Sequence, residues 1–280
     1  MKKYTRFINS LSAAIVLSLV AGFIGVAQAA ETKAKAGVKK GPLMPIKVSP
    51  YKKRPAENAK TVAAGRVIYE NACIYCHGIE AKGDGPVAFY LSRDTAPRPR
   101  DLTSGVFKFR STASGELPMD EDIFRTITRG VTGFMPGFEG MPPADRWKLV
   151  YYIKSLVPDF KEITDPETIK MVGSTIPSSA VSIRRGYEVY QEFKCWECHG
   201  GGGRGDGKKA PDLKDDWGFR LPPRDLTRLN SFKNGSEPAD LYRTVMAGFD
   251  GGAMPSYADF FEGSEKDAWH LVNYIRSLSE

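Results

Sequence analysis

A chain of 280 residues, 41% of them hydrophobic, can bury the core of one large domain or of two ordinary ones. The formal net charge of +7 would invite a nucleic-acid reading, but its sign is local: nine Lys/Arg face two Glu between Ala30 and Ala64, and Gly65 to Glu280 sums to −3. No basic and aromatic constellation follows that stretch, so nucleic acid is excluded as a partner.

In chain order, residues 1–29 read as a secretory signal peptide. MKKYTRFINS is basic, LSAAIVLSLVAGFIGVA is apolar, and Ala27-Gln28-Ala29 sets small residues at the cleavage position. The apolar run falls short of the about 20 residues of a bilayer crossing, so cleavage is expected in preference to a retained anchor. Residues 30–59 form a basic arm rich in Pro and Lys, a composition that disfavours an independent fold. A solvated leader and a docking segment for an acidic surface, partner or membrane are the readings it leaves open.

The rest is one pattern written twice. A first unit, 60–158, has a helix around Tyr69 leading into Cys73-Ile-Tyr-Cys76-His77, a long irregular stretch, a helix around Phe124, a Met135-Pro136 loop and a closing helix DRWKLVYYIKSL. Trp147, Val150 and Tyr151 share one face of that last helix. After a linker at 159–181, a second unit, 182–280, repeats the order with Tyr190, Cys195-Trp-Glu-Cys198-His199, Tyr242, Met254-Pro255 and WHLVNYIRSL. Cys73, Cys76, His77 and Trp147 recur 122 residues later, Gly65 recurs as Gly186, and GDG and PRDLT return as well. Matches over such a length at one spacing define tandem domains. No run alternates as a strand would, so the expected class is all-α, with loops too long to hold themselves without something to wrap around.

The two clusters consume all four cysteines and two of the three histidines. A redox disulfide would sit at a helix start in an α/β domain, whereas here a helix precedes the first cysteine. Structural zinc needs four ligands and each cluster offers three. Covalent haem uses the whole motif: two thiols for thioethers and the adjacent histidine for iron. Met135 and Met254, 58 and 55 residues beyond their histidines, stand where a thioether would supply the second axial ligand, and the following prolines stiffen the backbone beside them. Met119, Met141, Met171 and Met246 have no such paired placement and read as packing or surface residues. Arg100 and Arg224 are candidates for haem propionates, Asp101 and Asp225 for local turns. The carbonyl of Pro99 or Pro223 is the expected acceptor for the proximal imidazole. The tryptophans read as packing, and His270 as a solvated or capping residue.

With these motifs in place, the chain resembles tandem class I c-type cytochromes. The resemblance implies two cytochrome c-like helical domains with long haem-wrapping loops. It implies Gly65 and Tyr69 crossing the Trp147–Leu156 helix, and Gly186 and Tyr190 crossing Trp269–Leu278. It carries two covalent haems onto Cys73, Cys76, His77 and Met135, and onto Cys195, Cys198, His199 and Met254. The supporting proline falls on Pro99 and on Pro223, with Pro211 a rival in the second copy. The family's dihaem members serve respiratory dehydrogenases, reductases or oxidases in the periplasm. The expectation is therefore a periplasmic dihaem carrier between redox partners, or the electron-transfer subunit of a larger oxidoreductase. A dihaem peroxidase would need one iron with an open position, against which the paired methionines argue.

Overall fold

Two helices can bring their backbones into contact only where one of them lacks a side chain, and Gly65 and Gly186 provide that place twice. In the computed structural model, which describes residues 54–90, 98–163, 165–169 and 175–279, α1 (Ala59–Ala72) crosses a later helix at Gly65, where a Cβ would overlap the Lys148 carbonyl. At Gly186 a Cβ would overlap the His270 carbonyl. The signal segment, most of the basic arm and Met171 lie outside the described residues.

α1 begins where Asn58 accepts from the Lys60 and Thr61 amides at 3.0 and 3.1 Å while Thr61 Oγ1 accepts from the Asn58 amide, a reciprocal cap. A one-turn α2 (Ile74–His77) carries the first histidine, and α3 (Pro86–Tyr90) lies within the stretch expected to be irregular. Next come α4 (Asp120–Arg129) and α5 (Pro143–Ser155), the latter opened by proline at its first position. The second unit repeats the set as α6 (Ala180–Glu192), α7 (Trp196–His199), α8 (Pro238–Ala247) and α9 (Glu265–Ser277). Among the described residues there is no strand, only isolated bridges such as Val131 with Met135. No described helix is long and apolar enough to cross a membrane.

Each unit has its own apolar core, one around Tyr69, Phe124 and Trp147 and one around Tyr190, Tyr242 and Trp269. The tryptophans pack as expected: Trp147 stacks on Phe124 at 4.4 Å and Trp269 on Tyr242 at 4.3 Å. Of the unpaired methionines, Met246 is in the second core and Met141 packs against the first.

Three places carry contacts beyond those expected. The arm does not end cleanly at residue 59, because Arg54 lies over the Trp147 ring at 4.7 Å and pairs with Asp120 and Glu121, while the Pro55 carbonyl accepts from Tyr151 Oη. The linker is not free of the domains either: the Ala113 amide donates to the Glu167 carbonyl and the Ile169 amide to the Ser111 carbonyl. His270 is half-buried, and its Nδ1 lies 2.8 Å from Ser182 Oγ, which also accepts from Asn273 Nδ2, so it ties α9 to the start of α6. Each contact satisfies a polar group that helix packing has partly removed from water.

The two units face each other within one compact body, Pro50–Glu280. Arg110, fully buried, pairs with Asp250 at 2.7 Å and donates to the Ala247 carbonyl at 2.9 Å. Ser114 Oγ and the Gly115 amide donate to the same aspartate, Arg129 pairs with Asp240 at 2.9 Å, and Phe109 meets Phe249 edge-on.

The helix crossings give a direct test. Gly65→Ala or Gly186→Ala forces a methyl into backbone and should cost about 1–3 kcal/mol, overriding alanine's better helix propensity. Arg66→Ala, on the exposed face, should stay within about 0.5 kcal/mol of the parent. Denaturant unfolding of the purified holoprotein checks both, and equal stability of all variants would refute the close crossing.

Candidate functional site

The last carbonyls of a one-turn helix find no partner further along it, so other backbone groups satisfy them. In the first unit the Gly83 amide donates to His77 O at 2.9 Å and the Gly85 amide to Cys76 O at 3.2 Å. The second repeats this from Gly205 to His199 O at 2.8 Å and from Gly207 to Cys198 O at 3.1 Å. A side chain at Gly85 would collide with the Ile74 and Tyr75 carbonyls, so the GDG turn is the lid that closes each histidine turn. From the other side, Tyr69 Oη donates to Gly78 O and Tyr190 Oη to Gly200 O, both at 2.6 Å. The resemblance to the cytochromes implied a helix-crossing role for these tyrosines; their hydroxyls also anchor the loops that follow the histidines.

His77 Nδ1 lies 3.0 Å from the Arg100 carbonyl, and His199 Nδ1 lies 3.1 Å from the Arg224 carbonyl. A carbonyl only accepts, so Nδ1 carries the proton and Nε2 keeps its lone pair. The acceptors are thus one residue beyond Pro99 and Pro223. The Pro99 carbonyl instead crowds Gly83, where a Cβ would strike it, and Pro211 sits in a separate turn of 3-10 helix at Ala210–Asp212. The aspartates behave as turn formers: Asp101 Oδ1 accepts from the Thr103 amide at 2.8 Å and Asp225 Oδ1 from the Thr227 amide at 2.9 Å. Burial pushes both imidazoles below the ordinary histidine range, which favours the neutral, ligating form.

Two cavities, of about 200 Å³ and 190 Å³, bring the rest together. Cys73, Cys76, His77 and Met135 line the first, with Leu102 and Ile127 among its apolar walls. Cys195, Cys198, His199 and Met254 line the second. The Met135 loop is closed by paired backbone bonds between Val131 and Met135, both 2.9 Å, and the Met254 carbonyl accepts from the Phe249 amide at 2.9 Å. No disulfide joins the cysteines, which leaves all four available for attachment.

This donor set decides what fits. Among the described residues no three His, Cys, Asp or Glu side chains converge as a metal-ligand group. Each cavity supplies one imidazole and one thioether in an apolar wall. That set suits a metal that arrives inside a macrocycle with its equatorial donors already present, with the thiols to tether the ring. The residues fit haem.

Fold and site together define a protein built of two c-type cytochrome domains. Residues 60–153 and 181–275 each match the family described as "Cytochrome C oxidase, cbb3-type, subunit III". The chain belongs to that family, which implies covalently bound haem c and electron transport. Among solved structures it is similar to a chain of the reducing HAO-like protein complex of Kuenenia stuttgartiensis, at 37% identity and a TM-score of 0.71, covering 78% of this chain and 96% of that one. No curated protein matches the chain.

The tyrosine anchors are testable without disturbing any candidate ligand. Tyr69→Phe and Tyr190→Phe each strand a buried carbonyl and should lower stability by about 1–3 kcal/mol. Unfolding of the holoprotein measures it; no loss in either variant would mean that the hydroxyls anchor nothing.

Proposed function

We propose that the chain is a dihaem electron-transfer subunit, exported to the periplasm, that passes electrons to or from a larger oxidoreductase without turning over a substrate at iron. One observation carries this reading: the same four side chains, two thiols, an imidazole with its Nδ1 proton committed and a methionine, line one cavity in each of two repeated domains. Cys73, Cys76, Cys195 and Cys198 are assigned to thioether attachment. His77 and Met135, and His199 and Met254, are assigned as axial ligand pairs. Haem c supplies one-electron cycling between Fe(III) and Fe(II).

The protein's part follows from the geometry. The Arg100 and Arg224 carbonyls hold the imidazoles in one tautomer and increase their donor strength. A thioether partner favours the reduced metal and raises the potential relative to more donating ligand sets. The apolar walls keep water from the reacting centre, and the backbone-closed methionine loops hold the sulfur in place, which disfavours the open coordination position a peroxidase requires. The likeness to a chain of a reducing HAO-like complex, spanning nearly all of that chain, favours a dedicated subunit over a free carrier. The basic arm would then add a contact to an acidic partner or membrane surface.

Intact mass of the mature chain under denaturing conditions should show two haem additions, and an unmodified polypeptide would refute covalent attachment. Met135→Ala and Met254→Ala should each abolish the sulfur-to-iron signature of one haem while keeping both haem additions in the mass. Persistence of both signatures in either variant would remove that methionine from the ligand set.

A further inference from the structure

Lys108 and Lys233 occupy equivalent places in the repeat, each following a phenylalanine, Phe107 or Phe232, shortly after the PRDLT segment. Each lines the cavity of its own domain and also that of the other. The exchange is reciprocal. Lys233 places its Nζ 4.4 Å from the centroid of Phe134, the residue before Met135, and Lys108 places its Nζ 5.8 Å from the centroid of Phe249, at the start of the loop that carries Met254. The two domains thus meet through a pair of crossed lysines at the seam between the cavities.

The Asp215 carboxylate attracts Lys108 from beyond contact distance, and no described carboxylate does as much for Lys233. Neither ammonium has a carboxylate within ion-pair distance among the described residues, and the interface carboxylates Asp240 and Asp250 pair instead with Arg129, Arg243 and Arg110. Arg100 and Arg224 add further positive charge to the first and second cavity, and Arg100 Nη1 is buried without a hydrogen-bond partner. Burial, together with these neighbouring cations, pulls Lys108 down to about 8 and Lys233 to about 7. Two cations in a partly dry seam repel, and both keep their charge at neutral pH only with an anion beside them. The chemical group that suits them is a carboxylate, and haem carries its carboxylates as propionates on one edge of the ring.

We propose that Lys108 and Lys233 form a shared cationic bridge that receives the propionate edges of both haems, so that each lysine sets the potential of the haem in the opposite domain as well as its own. The inference rests on the dihaem reading above. A positive charge beside iron favours Fe(II), so removing it lowers the potential. Through a bridge common to both cavities, one substitution reaches two centres.

The test uses the mature dihaem protein and the variants Lys108→Met and Lys233→Met, which keep an unbranched apolar stem of similar length, with Lys108→Arg to restore charge. Redox titration is followed with the hyperfine-shifted haem methyl resonances, which report each haem separately. Each methionine variant should lower both potentials, and Lys108→Arg should return both toward the parent. A shift confined to the haem of the substituted domain, or no shift, would overturn the bridge. Denaturing mass on the same samples keeps the two readings apart. A parent without two haems refutes the dihaem assignment, whereas two haems with independent potentials refute only the bridge. Should Lys108→Met fail to retain both haems, Lys233→Met reads the same coupling from the other domain.

Discussion

The contact between the Gly65 backbone and the Lys148 carbonyl, repeated at Gly186 and His270, is the constraint on which each domain's geometry rests. It sets the first helix so close to the last that Tyr69 is fully buried, with its hydroxyl at the Gly78 carbonyl. That bond fixes the turn leaving His77, and the Gly83 and Gly85 amides fix it from the opposite direction. The imidazole is then close enough to the returning chain to donate to Arg100. Each link is a single hydrogen bond of modest net worth, about 0.5–1.5 kcal/mol. Their effect is cumulative because every one presupposes the crossing before it.

This order explains why loops without regular structure can hold a cofactor site accurately. Among its described residues the stretch from Gly78 to Gly115 contains one short helix, yet its backbone is tied at fixed points: Gly83 to His77, Leu102 to Ala81 and Thr103 to Asp101. Buried polar backbone must find partners wherever it runs, and here the partners are the residues that flank the ligating motif. The second domain reproduces the ties at Gly205, Leu226 and Thr227. Its intervening loop differs, with 3-10 turns in place of α3. The conserved arrangement between the two copies is thus the set of ties, and the loop between them is free to vary.

Much of this was legible in the sequence because the chain contains its own comparison. Gly65 with Gly186, Tyr69 with Tyr190 and Met135 with Met254 stand out only when the copies are set side by side, and each pair has the same surroundings in the fold. What escaped was set by direction and by docking. Whether Pro99 or Arg100 offers its carbonyl depends on which way the backbone turns at that peptide, and adjacent carbonyls point to different sides. Lys108 and Lys233 hid because insertions put them 125 residues apart, out of step with the cysteines, and because their importance arises only when the domains face each other. Arg54 looked like one more charge of a basic arm; its stacking on Trp147 needs the folded helix beneath it.

The interface divides its charges into two kinds, and the division bears on how the domains are held. Arg110 with Asp250 and Arg129 with Asp240 are formed within the protein, and the first is deeply buried. A buried pair recovers little net energy beyond its own desolvation, but breaking it is costly, so such pairs fix orientation more than they add stability. The domains are therefore aligned by contacts complete in the polypeptide, while the positive charge left over is concentrated where both cavities open toward the seam. On the proposed bridge, haem carboxylates at that seam would complete the docking of the two halves. The groups that set the charge environment of the two redox centres would then also fix their relative position, which would tie the electron path between domains to the integrity of the interface.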